Sequence, residues 1–528
     1  MAHEYTTRAP IVCSYRLVLS VMSFFGFVSL YSLRFSTSVI LDCMINHTTV
    51  KAMEALPYED GWSISKLRSE EALNSTLNAE KLEGALMPSF QYRVTDGEFH
   101  WSSSVQSLIQ SSFYWGYVVT QIPAGVLCQR YGGKKFLGWS MFLSGAITLL
   151  VPIAARVGYP VLILLRSFLG LCQGVIWPAA IAIWSRWAPP LERQRLVAGC
   201  FSGVALGVVG VYPLSSALCY NDAGGGWESV FFVSGSVAII WCFIWSLYAY
   251  DTPDEHPHIS MKEKMYIKCT LLGTIKMYID VDYITPWESI LTCKPFWALV
   301  VVQVSADFTV YFEVFCGYIY MERVLNMQPE ERGYMVALPY FGFFVVNIIS
   351  AILYDFCSTE LIYSTTLARK IGVSAALLIP AVLIFCLGFL GYKHRVAAMI
   401  LLGTSIAASG LHFGTGYLTI VADIAPPHAA IMIGISNTIA GISAMVLQPI
   451  VTHLSTDNRQ DQWHILFHFI CALNLLCCII FNIWGSGEIQ DWARLSSEEE
   501  SFRETPSRMA EIYKRYRVPT STPTTATF

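Results

Sequence analysis

A chain of 528 residues that is 54% hydrophobic and only 14% charged, with a mean hydropathy of +0.49, is not a soluble domain, where about 25% of residues are charged. Apolar runs of ~20 residues recur along it, long enough to cross a bilayer as helices and unlike the ~10-residue alternating segments of a membrane barrel. The net charge of −4 singles out no partner, because in a membrane protein the placement of charge counts for more than its sum.

The first apolar run, 15–41, follows a short polar N-terminus, 1–14. It is too long for a signal peptide and lacks a small-residue cleavage site, so it reads as a retained first span. Arg34 lies within it. A long acidic loop, 42–103, holds the only two N-x-[ST] sequons, at Asn46 and Asn74, and glycosylation there requires a non-cytosolic loop. Runs at 104–128, 134–155, 159–187, 196–219 and 227–250 complete a first half, 15–250. A polar segment, 251–293, separates it from a second half, 294–485, with runs at 295–321, 333–354, 367–391, 396–421, 429–453 and 463–485. Two sets of six spans are the arrangement of a two-halved transporter. The remaining residues, 486–528, run through "SSEEE" to "VPTSTPTTATF", cannot bury a core, and read as a disordered tail.

Lys and Arg in the short loops set the orientation. Arg130, Lys134, Lys135, Arg186, Arg193, Arg195, Lys262, Lys264, Lys268, Lys276, Arg369 and Lys370 fall on the side of the N-terminus, which places both termini in the cytosol. The sequons then fall on the opposite face, so two independent signals agree.

Charge inside a span is costly and marks a pathway unless the side chain reaches an interface. In "VLILLRSFLGLCQGVIWP", Arg166 lies roughly 9 Å below Pro160, and Arg34 lies roughly 10 Å below the outer end of the first span. Two guanidiniums at matched depth are suited to an anion, since each holds a carboxylate or phosphate through parallel bonds. Snorkelling to the outer interface is the competing reading. Gln173 shares a helical face with Arg166. Asp307, ~18 Å into the seventh span, sits where a proton-coupling carboxylate would, although an acid paired for packing would occupy the same place. Glu313, nearer the outer end and about 240° round the helix, reads as interfacial. His412 reads as a hydrogen-bonded packing residue, and His256 and His258 of "DEHPHIS" as solvated loop residues.

The 15 cysteines follow neither a disulfide nor a zinc pattern. "RYGGKK" lacks P-loop spacing and no nucleophile–base set stands out, so an enzyme is not expected, nor a cofactor, a metal site or a nucleic-acid partner.

At "GVLCQRYGGKK" the chain resembles the major facilitator signature, with Gly125, Arg130, Gly132, Lys134 and Lys135 in place and Gln129 in place of the acid. "SSFYWGYVVTQIPAG", "WSRWAPPLERQRL", "DIAPPHAAIMIGISNT" and "GSGEIQDWA" resemble, more specifically, the anion-transporter family of sialin, the vesicular glutamate transporters and the sodium–phosphate cotransporters. The first-span stretch "YSLRFSTSVIL" is closest to the sialin and phosphate branches. The resemblance implies an all-α major facilitator fold of twelve transmembrane helices in two six-helix halves, alternating access and a small organic or inorganic anion as substrate. It puts Arg34 and Arg166 where the family usually has arginine, and the expected substrate-binding residues are Arg166 as the main anion contact, Arg34 as its partner, Gln173 and Gln110 as neutral hydrogen-bonding residues, and Tyr114. Gly125, Arg130, Gly132 and Lys134, with Asp355 and Asp423 of the second half, form the conformational signature.

The departures matter too. Leu169 and Gln173 stand where the sialin-like pattern has acids, and Gln110, Ala306 and Val421 stand where the glutamate branch or the wider family has ionisable residues. Coupling is lost, uses Na+, or has moved to Asp307. The alternative function is a non-transporting membrane sensor or scaffold descended from such a transporter. The membrane is lysosomal, vesicular or plasma, and the expected state is a monomer.

Overall fold

The computed structural model describes residues 14–46, 97–190, 192–220, 226–272, 285–317, 320–321, 324–325, 327, 329–359, 364–390, 394–454 and 460–493. Asn74 and most of the acidic loop lie outside them. So do the N-terminus before Ser14 and the tail beyond Ala493.

Nine described helices are long and apolar enough to span a bilayer, and the pair Lys134–Leu149 and Val151–Val157, bent by 46°, makes a tenth as one broken span. Ser103–Tyr131 and Ala429–Leu454, of 29 and 26 residues, fill the positions of the second and eleventh spans, which is consistent with the twelve expected. Ser14 starts the first helix, Tyr15–Met44, by accepting from the Leu17 amide, as an N-cap should. Pro123, Pro213, Pro339 and Pro380 lie inside helices, where lipid-facing chains tolerate them because neighbours re-satisfy the freed backbone.

Small residues set the helix spacing. A side chain at Gly116 would strike the backbone of Ser167 and Leu171, and one at Gly170 would strike the backbone of Phe113 and Tyr117, so the second and fourth spans touch along their backbones. The first and fifth spans meet in the same way at Gly203 and Gly207, against Phe24 and Val28. Between the halves, Gly125 abuts Ala430 and Gly434 abuts Gln121, bringing the second and eleventh spans together. Close approach of this kind replaces the hydrophobic effect as the source of association in lipid. Gly170→Val is therefore expected to destabilise the first half by ~1–3 kcal/mol, as overpacking does, read as a lower unfolding temperature in detergent. An unchanged temperature would mean that this contact yields without cost.

One expected boundary shifts, and the segment between the halves has structure of its own. Residues 486–493 are not part of a free tail: the Gln490 amide donates to the Ile424 carbonyl at 2.9 Å, and Trp492 lies 5.8 Å from His428, ring to ring. The segment between the halves contains helices Met261–Leu272 and Trp287–Thr292, and Glu263 of the first accepts from Arg16 Nε at 3.0 Å.

Candidate functional site

The two guanidiniums do not snorkel. Arg34 is 3% and Arg166 2% exposed, because each stays within its own half against fixed acceptors. Arg166 Nε donates to the Ile109 carbonyl at 2.8 Å, and Arg34 Nε donates to Gln173 Oε1 at 3.3 Å. Tyr114 is within electrostatic reach of both cations. The second span thus places Ile109 and Tyr114 beside the fourth-span arginine, and the fourth span places Gln173 beside the first-span arginine.

Other donors of these side chains stay unpaired. Nη1 and Nη2 of Arg34, Nη1 of Arg166 and Nε2 of Gln173 are buried and find no hydrogen-bond partner among the described residues. Buried polar groups are normally paired, so these donors form a candidate site for acceptor oxygens. Arg34 is also enclosed by π faces, with its guanidinium carbon 4.9, 4.9 and 4.8 Å from the ring centres of Tyr31, Phe113 and Tyr117. Such contacts stabilise the cation in a dry site by ~1–2 kcal/mol each and leave its edge open. Gln110, beside Ile109, is half-buried.

The second half supplies an acid. Asp307 is half-buried, accepts from the Tyr417 hydroxyl at 3.4 Å, and lies within electrostatic reach of Arg34. Tyr311, one turn on, meets Tyr114 ring to ring at 5.4 Å, so aromatic contact across the halves borders the site. Sequence reasoning missed this aromatic lining. Tyr31 was legible in principle, because it lies three residues before Arg34 and shares its face; Tyr117, Tyr311 and Tyr417 carried no comparable signal.

Three sequence expectations change. Glu313 is not interfacial: it is 3% exposed and accepts from Ser405 and Ser409, because the tenth span packs against this stretch, where the helix widens into a π-helix, Phe312–Cys316. His412 is buried as expected of a packing residue, but its Nε2 has no hydrogen-bond partner among the described residues; it lies against Tyr417 instead, 6.0 Å ring to ring. His256 is not solvated. Its ring packs on Tyr15 and Tyr250 at 4.1 and 4.7 Å, and burial pushes it below the usual histidine range.

The face that carries the start of the first helix is closed by contacts between the halves. Asp423 receives Arg369 Nη2 at 2.7 Å and Arg193 Nη1 at 3.2 Å. Gln194 donates to the Phe413 and Gly414 carbonyls, both at 2.9 Å. Asp355 accepts from the Arg195 amide at 2.9 Å. Gly416, at φ 75°, leaves room for Gln194 and Arg369, which a side chain there would strike. Of the first-half signature, Gly132 adopts φ 90° and faces Asp251, whose Oδ1 receives the Lys134 amide at 2.7 Å; Arg130 is exposed and lies over Tyr131. Gln129, in place of the usual acid, puts Nε2 3.1 Å from His428 Nδ1 across the halves. A neutral amide suits this partner, because burial pushes His428 down to about 4.

The family described as Major Facilitator Superfamily matches residues 82–367. Sialin of Homo sapiens is 34% identical over 485 residues, 92% of this chain and 92% of that protein. Vesicular glutamate transporter 1 of Bos taurus is 33% identical over 398 residues, 75% of this chain and 70% of its own length. A putative inorganic phosphate cotransporter of Drosophila melanogaster is 29% identical over 507 residues, 94% and 90% of the two chains. The solved proton:xylose symporter XylE, bound to 6-bromo-6-deoxy-D-glucose, superposes with a TM-score of 0.62 at 12% identity, covering 90% of this chain and 97% of that one; at that identity the likeness shows the fold.

Proposed function

The chain belongs to the major facilitator superfamily, and from that premise we propose that it is a secondary active transporter that moves a small organic or inorganic anion by alternating access. The similar proteins named sialin, vesicular glutamate transporter and phosphate cotransporter support the anion class. The observation that carries the reading is the buried donor array of Arg34, Arg166 and Gln173, which has no acceptor of its own among the described residues. A transporter of this kind is not an enzyme and needs no cofactor, since the driving energy comes from an ion gradient.

The geometry supports a coupling scheme. Asp307 is an acid within electrostatic reach of Arg34. An anion on the guanidinium edge takes over that charge and leaves the carboxylate without its counter-ion in a low-dielectric site, where the neutral form is favoured. Anion binding and proton uptake then reinforce each other, with Tyr114 and Gln110 bordering the anion. Release on the other side reverses both steps. In this scheme the cluster around Asp423 and Asp355 is the closure that opens in the alternate state, both termini are cytosolic, Asn46 and Asn74 carry glycans on the opposite face, and the protein works as a monomer in a lysosomal, vesicular or plasma membrane.

The test is uptake by purified full-length protein in liposomes of labelled sialate, glutamate, urate, phosphate and nucleotide under imposed pH, Na+ or voltage gradients. One coupled proton contributes about tenfold accumulation per pH unit, since one unit is ~1.4 kcal/mol. Asp307→Asn is expected to lower the accumulation ratio by that factor per unit while equal-pH exchange persists. Uptake driven by Na+ or voltage and indifferent to the substitution would remove Asp307 from the coupling. Binding of a panel anion with no flux would favour a sensor over a transporter.

A further inference from the structure

Glu313 is a second buried acid, set apart from the anion site. Four spans of the second half meet around it. The seventh, which carries it, widens there into the π-helix Phe312–Cys316, a distortion often found at functional positions. The tenth supplies Ser405 Oγ, 2.6 Å from Oε1, and Ser409 Oγ, 3.0 Å from Oε2. Ser405 Oγ also lies 3.4 Å from the Pro380 carbonyl of the ninth. The eighth supplies Tyr340, 3% exposed, whose hydroxyl has no hydrogen-bond partner among the described residues and which lies within electrostatic reach of Glu313.

Both serines are fully buried, and among the described residues no Lys, Arg or His acts on the carboxyl from any of these spans. Tyr340 is the titratable side chain that faces it. An ionised carboxylate here would rest on two hydroxyl dipoles, far less than the loss of solvation demands. With a proton on Oε1, every polar group is satisfied: Oε1–H donates to Ser405 Oγ, Ser405 donates to the Pro380 carbonyl, and Ser409 donates to Oε2. The pocket is also not sealed within its half. Tyr340 lies within electrostatic reach of Tyr31 and Tyr212 in the first half, and Tyr31 is one of the rings around Arg34.

We propose that Glu313, with Ser405, Ser409 and Tyr340, is a second proton-binding site of the transport cycle, loaded in this closed arrangement and emptied when the halves part at Tyr340. The chemistry is the gain and loss of one proton at a carboxyl oxygen. The inference rests on the transporter reading for its role in the cycle, but not for the protonated state of the carboxyl.

The test has two arms on the full-length protein in lipid. In liposomes at zero voltage, with labelled sialate and phosphate as probes, two coupled protons support ~100-fold accumulation per pH unit and one supports ~10-fold. Glu313→Gln, which keeps the shape of the neutral acid, is expected to lower the ratio about tenfold per unit and to leave equal-pH exchange intact. In infrared difference spectra of the same protein, a protonated-carboxyl C=O band at neutral pH should vanish in Glu313→Gln and shift in Ser405→Ala. An unchanged accumulation ratio in Glu313→Gln, or a Na+-dependent ratio that this substitution abolishes, overturns the proton site. If wild-type protein accumulates neither probe, the transporter reading fails for those anions, and the infrared arm decides Glu313 alone: absence of its band at neutral pH overturns the proposal.

Discussion

Arg166→Lys is expected to lower anion uptake by between ~30-fold and ~5,000-fold, the ~2–5 kcal/mol that accompanies loss of one member of a buried, hydrogen-bonded charge pair. The reason lies in how the guanidinium divides its donors. Nε is committed to the Ile109 carbonyl, which fixes the plane of the group and leaves Nη1, unpartnered and buried, for the substrate. A lysine has one nitrogen for both tasks, cannot form two parallel bonds, and is more strongly hydrated. Arg34→Lys would fail for a related reason, since its three aromatic contacts and its bond to Gln173 also rely on a planar fork. The measurement is uptake of the panel anions together with binding by isothermal titration. Arg166→Lys protein that folds, binds and transports like the wild type would remove Arg166 from the site.

Asp423→Ala should have the second large effect, on conformation. The carboxylate bridges Arg369 of the ninth span and Arg193 at the start of the fifth, and both guanidiniums are buried. Removing it leaves two buried cations uncompensated, a cost of ~3–5 kcal/mol. That cost is paid only while the halves are closed on this face, so the equilibrium shifts toward the arrangement in which both arginines reach water. The readout is site-resolved labelling by a membrane-impermeant thiol reagent applied from the side of the termini. A cysteine introduced at Ala422, which is buried and whose carbonyl accepts from Arg193 across the halves, should be labelled at least tenfold faster in the Asp423→Ala background, a change that ~1.4 kcal/mol already produces. Labelling equal to wild type would show that the bridge does not hold the face shut.

The two arginines, Gln173 and Asp307 were legible in the sequence because a charge in an apolar run is conspicuous and a 1.5 Å rise per residue converts position into depth. Glu313 was equally conspicuous and was misplaced, because its angle and height along the helix do not say what packs there, and the tenth span brings Ser405 and Ser409 against it. Beyond Tyr114, most of the aromatic lining gave no signal for the opposite reason: in a chain that is 14% aromatic, one more tyrosine in a span stands out only when a cation is placed over it. The bridge at Asp423 joins residues 230 positions apart in sequence, which no local pattern encodes.

Composition and periodicity alone determined that this chain spans a membrane many times, in two halves, with cationic side chains at depth in the first and an acid in the second. These properties follow from transfer free energies and helix geometry, which act residue by residue. Which donors remain unpaired, which acid has a counter-ion and which has only hydroxyls, and on which face the halves are closed were decided by tertiary structure. Each depends on the distance between groups that lie far apart in the chain, and in a low-dielectric interior that distance sets whether a charge is held, shared or neutralised.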